Sequence, residues 1–201
     1  MKTTAMILFI LAVLLGCEAG EESQEVTNID YFPLNIGGEY RYYHPPDTTI
    51  RTSSKVWGTV LFGNKKYYAV GPDSLRVNYY RPDPVTGNIY IYYEYITAEE
   101  LLFRFNLAEG DTYHVYSNLN DLSEFQIVTV VNRNETVETL AGTFTNCLFL
   151  AFDTPEVWDD AWWFWFARGV GIVQYDGDWS PLGKLAFAQV GGSTYQPGQS
   201  R

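Results

Sequence analysis

Apolar residues in the body of the chain come in short runs and not at helical spacing. Each run is rich in Tyr, Val, Ile and Phe and is bounded by Gly, Pro, Asn or Asp, which is the pattern of β-strands separated by turns. The strands predicted in this way cover residues 39–44, 54–62, 66–70, 75–81, 89–96, 101–106, 112–116, 125–132, 136–140, 143–152, 161–168, 171–175 and 185–190. Their length and spacing predict an all-β fold.

Turn residues punctuate this pattern, for example at Gly63-Asn64, Asn132-Arg133-Asn134 and Ala141-Gly142. One segment departs from the strand pattern: residues 98–102 are also compatible with one turn of helix. Several predicted strands, such as 89–96, are apolar on both faces. Tyrosine suits a partly solvent-exposed sheet surface because its ring can pack while its hydroxyl reaches water. We therefore expect a single antiparallel β-sandwich or half-open β-barrel domain, whose tyrosines cover broad sheet surfaces or line a cleft.

The first sixteen residues differ from the rest. Lys2 is followed by an apolar run from Ala5 to Leu15, which is shorter than the roughly 20 residues of a membrane-spanning helix but is typical of a signal peptide. The run ends in Leu14-Leu15-Gly16-Cys17, which resembles the lipobox of bacterial lipoproteins. The resemblance implies cleavage before Cys17 and acylation of its sulfur and new amino group. Cys17 is therefore the predicted lipidation site.

Two alternatives compete with lipidation. An ordinary signal peptidase would cut after Ala19, and the leader could also be retained as a membrane anchor. One acyl chain binds a protein to a membrane only weakly, whereas two or more chains anchor it stably. A lipoprotein with several chains therefore needs no membrane-spanning helix. Glu18, and not Asp, follows the cysteine, which by resemblance to enterobacterial sorting does not favour retention in the inner membrane, and the outer membrane is the expected location. If Cys17 is acylated, Cys147 has no partner; we expect it to be a small buried hydrophobe, the alternatives being intermolecular pairing or a reactive thiol.

The chain divides into a leader at residues 1–16, a lipidated, flexible acidic tether at 17–30, the β domain at 31–190 and a flexible Gly/Ser/Gln-rich tail at 191–201. Lys and Arg number 13 against 24 Asp and Glu, a net charge of −11. A strongly acidic chain with no basic run opposes contact with nucleic acid. The expected location is the bacterial cell envelope, lipid-anchored at the periplasmic face or the cell surface.

Four segments of the β domain carry glycines that suit tight turns and close approach of the backbone. The segments are YFPLNIGG at 31–38, GDT at 110–112, GTFTNC at 142–147 and ARGVGIV at 167–173. In this order they resemble the segments of a group of exported bacterial proteins and lipoproteins, mostly of unknown activity. That resemblance implies a β-rich extracytoplasmic domain and brings no catalytic residues with it. Where such proteins often have Trp after the first segment, this chain has Tyr40.

The densest aromatic run lies at residues 158–166. Its alternation places Trp163 and Trp165 on one face of a strand, and Trp162 on the other face with two phenylalanines. The run is either a central core strand, an interface with another envelope protein, or a platform for a lipid or glycan. The candidate ligand platform consists of Trp158, Trp162, Trp163 and Trp165.

Catalytic motifs are absent from the sequence. It has two histidines, His44 and His114, and no nucleophile elbow, zinc-protease motif or Cys-x-x-Cys. The acidic pairs at 159–160 and 176–178 are interpreted as solvated turns and not as Ca²⁺ sites, so no metal or cofactor is predicted. We expect a non-enzymatic lipoprotein with a binding or structural domain. The alternatives are a carrier of a lipid or glycan, and a hydrolase whose carboxylate pair the sequence does not identify.

Overall fold

A computed structural model of the protein describes residues 28–116, 125–178 and 180–198. The predicted signal peptide, Cys17 and almost all of the tether lie outside the described residues. A short 3-10 helix, Asn28–Tyr31, leads into antiparallel strands. The strands are β1 (Glu39–Tyr43), β2 (Ile50–Phe62), β3 (Lys65–Asp73), β4 (Arg76–Pro82), β5 (Ile89–Tyr93), β6 (Ala98–Phe103), β7 (Thr112–Tyr116), β8 (Phe125–Thr139), β9 (Gly142–Asp153), β10 (Trp162–Ala167), β11 (Gly171–Gly177), β12 (Ser180–Val190) and β13 (Ser193–Tyr195).

The strands form one meandering sheet that curls into a nearly closed antiparallel β-barrel. Consecutive strands pair from β1 to β6 and again from β7 to β12, while β1 pairs with β12 to join the two halves. This confirms the all-β prediction and, of the two expected architectures, the half-open barrel. In the part of the chain that the structure describes, no helix is long and apolar enough to cross a membrane.

The barrel is interrupted between β6 and β7, which contact each other without forming a ladder. Side chains bridge this seam instead. The Tyr113 hydroxyl donates to the carbonyl of Leu102 at 3.0 Å and accepts from the amide of Arg104 at 3.1 Å. Across the seam, the Arg133 guanidinium donates to the carbonyls of Phe105 and Leu107. The segment after β6 is therefore held to the β7–β8 side of the gap by side-chain hydrogen bonds to its main chain.

Two clusters of buried side chains pack inside the barrel, because alternate residues of each strand point inward. The first cluster surrounds Phe103, Phe105 and Phe166, whose ring centroids lie 5.0–5.8 Å apart. The second includes Val173, Leu185 and Cys147. Cys147 is a free, fully buried thiol, and burial raises its pKa to about 12, which confirms the interpretation as a small buried hydrophobe.

Three local expectations need correction. The predicted turn at Asn132-Arg133-Asn134 is wrong, because β8 continues through it as an irregular stretch in which the register shifts. The side chain of Asn132 accepts from the Asn134 amide at 2.7 Å, so a turn-like hydrogen bond forms inside a strand. Residues 98–102 form part of β6 and not a helical turn. Ser193–Tyr195, which the sequence places in the flexible tail, pairs with β12.

Candidate functional site

A half-open cavity of about 420 Å³ lies inside the barrel, and we call it the interior cleft. It lies between the two core clusters, since Phe103 and Phe152 belong to the first cluster and Tyr40 and Tyr42 to the second. Its volume falls within the roughly 300–1,000 Å³ that is usual for ligand sites. No charged side chain lines it among the described residues.

Both halves of the barrel supply the walls of the interior cleft. Val56 and Ile91 come from the β1–β6 half, and Phe152, Trp162 and Phe164 from the β7–β12 half. The segment of Phe32, Pro33 and Leu34 contributes a further side. Phe32 packs against Tyr80 and Phe103 with ring centroids 5.3 and 5.5 Å away. The cleft therefore exists because β1 and β12 bring two distant parts of the sequence together.

Two of the tyrosines that line the interior cleft, Tyr40 and Tyr42, have hydroxyls that are bonded to the main chain. Tyr40 donates to the carbonyl of Pro33 at 3.0 Å, and Tyr42 donates to the carbonyl of Ile172 at 3.0 Å. Burial raises the pKa of both phenols well above the ordinary value, so both stay neutral at physiological pH. With these two hydroxyls satisfied by the main chain, Tyr40 and Tyr42 offer their rings to a ligand.

One end of the interior cleft is polar. The ring of Tyr175 lies across Gly183, where an added Cβ would be 2.1 Å from the ring, so only glycine leaves room for it. This places the Tyr175 hydroxyl 3.3 Å from Nε2 of His44 and 3.5 Å from the hydroxyl of Thr52, which is exposed. The cleft thus combines an apolar body with a hydrogen-bonding mouth.

The four predicted platform tryptophans do not come together on one surface. Trp162 lines the interior cleft with Phe164, whereas Trp165 stacks on Phe149 at a centroid distance of 4.3 Å and does not line the cleft. Trp163 is half-buried and likewise does not line the cleft. Trp158 is 91% exposed in the β9–β10 loop. Sequence alternation separated Trp162 from Trp163 and Trp165, but it did not indicate which set faces inward.

The two predicted acidic turns are structural. The Asp160 carboxylate accepts from the Thr154 hydroxyl at 2.5 Å, and the Asp178 carboxylate accepts from the amide of Ala161 at 2.9 Å, so both secure the β9–β10 loop. Within the described residues, no group of three or more His, Cys, Asp or Glu is arranged to hold a metal ion.

Sequence reasoning missed two adjacent carboxyls in β6 that face opposite sides of the sheet. Glu99 accepts from Arg81 at 2.9 Å on both oxygens and also contacts Lys65 and Tyr67. Burial alone would raise the pKa of Glu99, but these hydrogen bonds outweigh it and lower the pKa to about 2.

Glu100 is 4% exposed, and neither of its carboxyl oxygens has a hydrogen-bond partner among the described residues. It lies opposite Ile91, which lines the interior cleft, so its side chain belongs to the inner face. Burial raises the pKa of Glu100 to about 7, an effect that the nearby amide of Tyr116 only partly opposes. An acidic residue in a run of strand-like sequence gives no signal of such burial.

Comparison with known proteins finds similar chains among solved structures, at low sequence identity. No protein-family model matches the sequence, and no curated protein matches it significantly. Among solved structures, one described as an exported protein with a YmcC-like fold, from Bacteroides fragilis, is 14% identical with a TM-score of 0.40, over 83% of this chain and 99% of that chain. Another, described as a lipoprotein from Parabacteroides distasonis, is 12% identical with a TM-score of 0.37, over 76% of this chain and 94% of that chain.

Proposed function

We propose that the protein is a lipoprotein of the bacterial cell envelope whose β domain binds the apolar chain of a lipid-like molecule in the interior cleft. The observation that carries the proposal is a cavity of about 420 Å³ that is walled mainly by aromatic and aliphatic side chains, with no charged side chain among the described residues that line it. A barrel that served only as a rigid spacer would fill this volume with side chains, since protein interiors are close-packed.

An acyl chain fits this cleft better than a glycan does. A sugar needs polar partners for its hydroxyls, and the hydroxyls of Tyr40 and Tyr42 are already bonded to main-chain carbonyls. Buried polar groups without partners are costly, so a glycan placed here would lose more hydrogen bonds to water than it gained. The ring faces of Trp162, Phe152 and Phe164 instead suit methylene groups.

The polar mouth suits the head of an amphipathic ligand. Tyr175 lines the interior cleft, and its hydroxyl meets His44 and Thr52 at the exposed end. A carboxyl or ester group placed there would stay near water while its chain entered the barrel. We expect free fatty acids and single lipid chains to be the preferred ligands.

The expected affinity for a single acyl chain is low enough for reversible binding. Each methylene buried contributes about 0.8 kcal/mol, so a chain of about ten methylenes gains about 8 kcal/mol. Association costs about 4–15 kcal/mol in lost freedom, which offsets much of that gain. A modest net affinity suits a carrier that takes up and releases its ligand.

The anchoring part of the proposal rests on the lipobox-like Leu14-Leu15-Gly16-Cys17. Acylated Cys17 would hold the protein at the bilayer, in the outer membrane, while the acidic tether separates the β domain from the lipid head groups. The test is metabolic labelling with radioactive palmitate and a Cys17→Ser control. Label in the natural protein alone supports lipidation, and equal label in both proteins excludes this site.

Ligand binding is tested by photo-cross-linking in cells that express the full chain and are fed a diazirine-bearing fatty acid. Ser54 lines the interior cleft, whereas its neighbour Ser53 is exposed, so Ser54→Trp fills the cleft and Ser53→Trp is the matched control. We expect cross-linked peptides from the cleft in the natural protein and in Ser53→Trp, and loss of most of them in Ser54→Trp. Cleft peptides that are never labelled, or are labelled equally in both variants, would refute the proposal.

A further inference from the structure

A second concavity, with the opposite chemistry, lies on the side of the barrel where β8, β9 and the β10–β11 turn meet the 3-10 helix. We call it the arginine groove; its volume is about 530 Å³. Its polar walls include Arg133, Asn134, Thr145, Asn146 and Arg168. We propose that the arginine groove binds a hydroxylated organic anion of the sugar-acid class, independently of the interior cleft.

The charge of the groove is the first argument. The protein carries a net charge of −11, yet two arginines and no acidic residue line this concavity among the described residues. Neither Arg133 nor Arg168 forms an ion pair within the part of the chain that the structure describes. Two uncompensated guanidinium groups in a strongly acidic protein form a local site for an anion.

Both arginines are held in position without being neutralised. Three of the five N–H donors of Arg133 bond to the carbonyls of Phe105 and Leu107, which fixes the side chain and leaves two donors. Arg168 lies over the ring of Tyr31, with its guanidinium carbon 5.4 Å from the centroid. Since neutral carbonyls and an aromatic ring do not cancel a positive charge, both groups retain it for a ligand. A guanidinium fork matches a carboxylate or sulfate bidentately.

The remaining walls specify more than a simple anion. Thr143, Thr145, Asn134 and Asn146 are exposed and offer hydroxyl and amide groups that both donate and accept. The rings of Phe144 and Tyr195, 5.9 Å apart, form an apolar wall beside them. The groove therefore matches a hydroxylated ring that carries an acidic group. The hydroxyl and amide groups can bond to the ring hydroxyls, the apolar wall can contact the ring face, and the two arginines can bind the acid.

The groove also explains where several segments singled out in the sequence come together. Tyr31 from YFPLNIGG, the TFTN of GTFTNC at 143–146, and Ala167, Arg168 and Val170 from ARGVGIV all line it. The glycines of these segments make the turns, as with Gly169, whose φ of 74° favours glycine. Residues beside these glycines, such as Thr143 and Arg168, supply part of the polar walls.

The test uses saturation-transfer NMR on the full-length protein, with glucuronate as the probe and glucose as its neutral counterpart. We expect saturable binding of glucuronate and binding of glucose weaker by about tenfold or more, because only the acid engages the arginines. Arg168→Gln removes one charge at an exposed position and should weaken glucuronate binding about tenfold or more. Arg76→Gln, an exposed arginine in the β3–β4 hairpin, is the matched control and should leave binding unchanged.

Asn146→Asp provides a second variant that leaves both arginines in place. It adds a negative charge to the groove wall at a residue whose φ of 54° aspartate tolerates, and it should also weaken glucuronate binding. Competition by inorganic sulfate should displace glucuronate, since both groups need the same guanidinium donors. Equal binding of glucose and glucuronate, or glucuronate binding unchanged in both Arg168→Gln and Asn146→Asp, would overturn the proposal.

Discussion

The buried carboxyl of Glu100 gives the protein a pH dependence whose sign and size follow from its surroundings. Below pH 4.5 the group is protonated in both the folded and the unfolded chain. As the pH rises from 4.5 to about 7, the unfolded chain releases the proton while the folded chain keeps it, so the free energy of unfolding falls. Each tenfold difference in proton affinity corresponds to about 1.4 kcal/mol, so the loss amounts to about 3 kcal/mol.

Glu100→Gln removes the ionisable group and keeps its shape. We expect the variant to match the natural protein at pH 4.5 and to be more stable at pH 8 by about 3 kcal/mol, or about 6–12 °C in melting temperature for a domain of this size. Thermal unfolding followed by tryptophan fluorescence between pH 4.5 and 8 measures this. Parallel pH profiles for the two proteins, or a variant that is less stable at pH 8, would refute the assignment of a buried, unpartnered carboxyl.

Glu99 is the natural control, because it is adjacent in sequence but its carboxylate is paired with cationic side chains, whereas that of Glu100 has no such partner in the part of the chain that the structure describes. Its pKa is lowered to about 2, so its contribution to stability is present above pH 4.5 and is lost as the pH falls toward 2. Glu99→Gln leaves Arg81 without its carboxylate and should therefore destabilise the protein at pH 7, where Glu100→Gln stabilises it.

Three further predictions concern packing. Phe166→Ala, which empties a fully buried position, should cost about 3–5 kcal/mol in thermal unfolding, whereas Trp158→Ala, at an exposed position, should stay within about 0.5 kcal/mol. Gly183→Ala should destabilise the protein by about 1–3 kcal/mol in the same measurement, because the new Cβ displaces the ring of Tyr175. Cys147 should react with a thiol reagent only at the rate of unfolding, since its thiol is buried and its pKa is raised to about 12, and rapid reaction of the native protein would contradict this.

Local chemistry made most of the strands predictable. Alternation and turn residues identified β7 with the observed bounds and β1, β9 and β10 to within a residue at each end. The same reasoning failed at residues 132–134, because asparagine favours a turn locally while the ladder between β8 and β9 continues on both sides. Tertiary pairing there outweighed local preference.

The interior cleft and the arginine groove were harder to predict from the sequence than the strands were. Pairing such as Arg41 with Phe187 creates the interior cleft, and no local pattern records a contact across that distance. Alternation placed Trp162 and Trp165 on opposite faces but could not tell the inside of a barrel from the outside. The arginine groove was missed because its cations, Arg133 and Arg168, are isolated in the sequence and meet only through folding.

The pairing of β1 with β12 also determines the order in which the molecule can be completed. Glu39 and Gln189 are neighbours in the sheet although they are 150 positions apart in the chain, so the closing ladder forms only after the chain has been synthesised through β12. Until then, one edge of a tyrosine-rich strand stays unpaired and can template association with another copy. A chain cut short before β12 would therefore lose more than β12 and β13, because β1 would be left with an unpaired edge that can bind another chain.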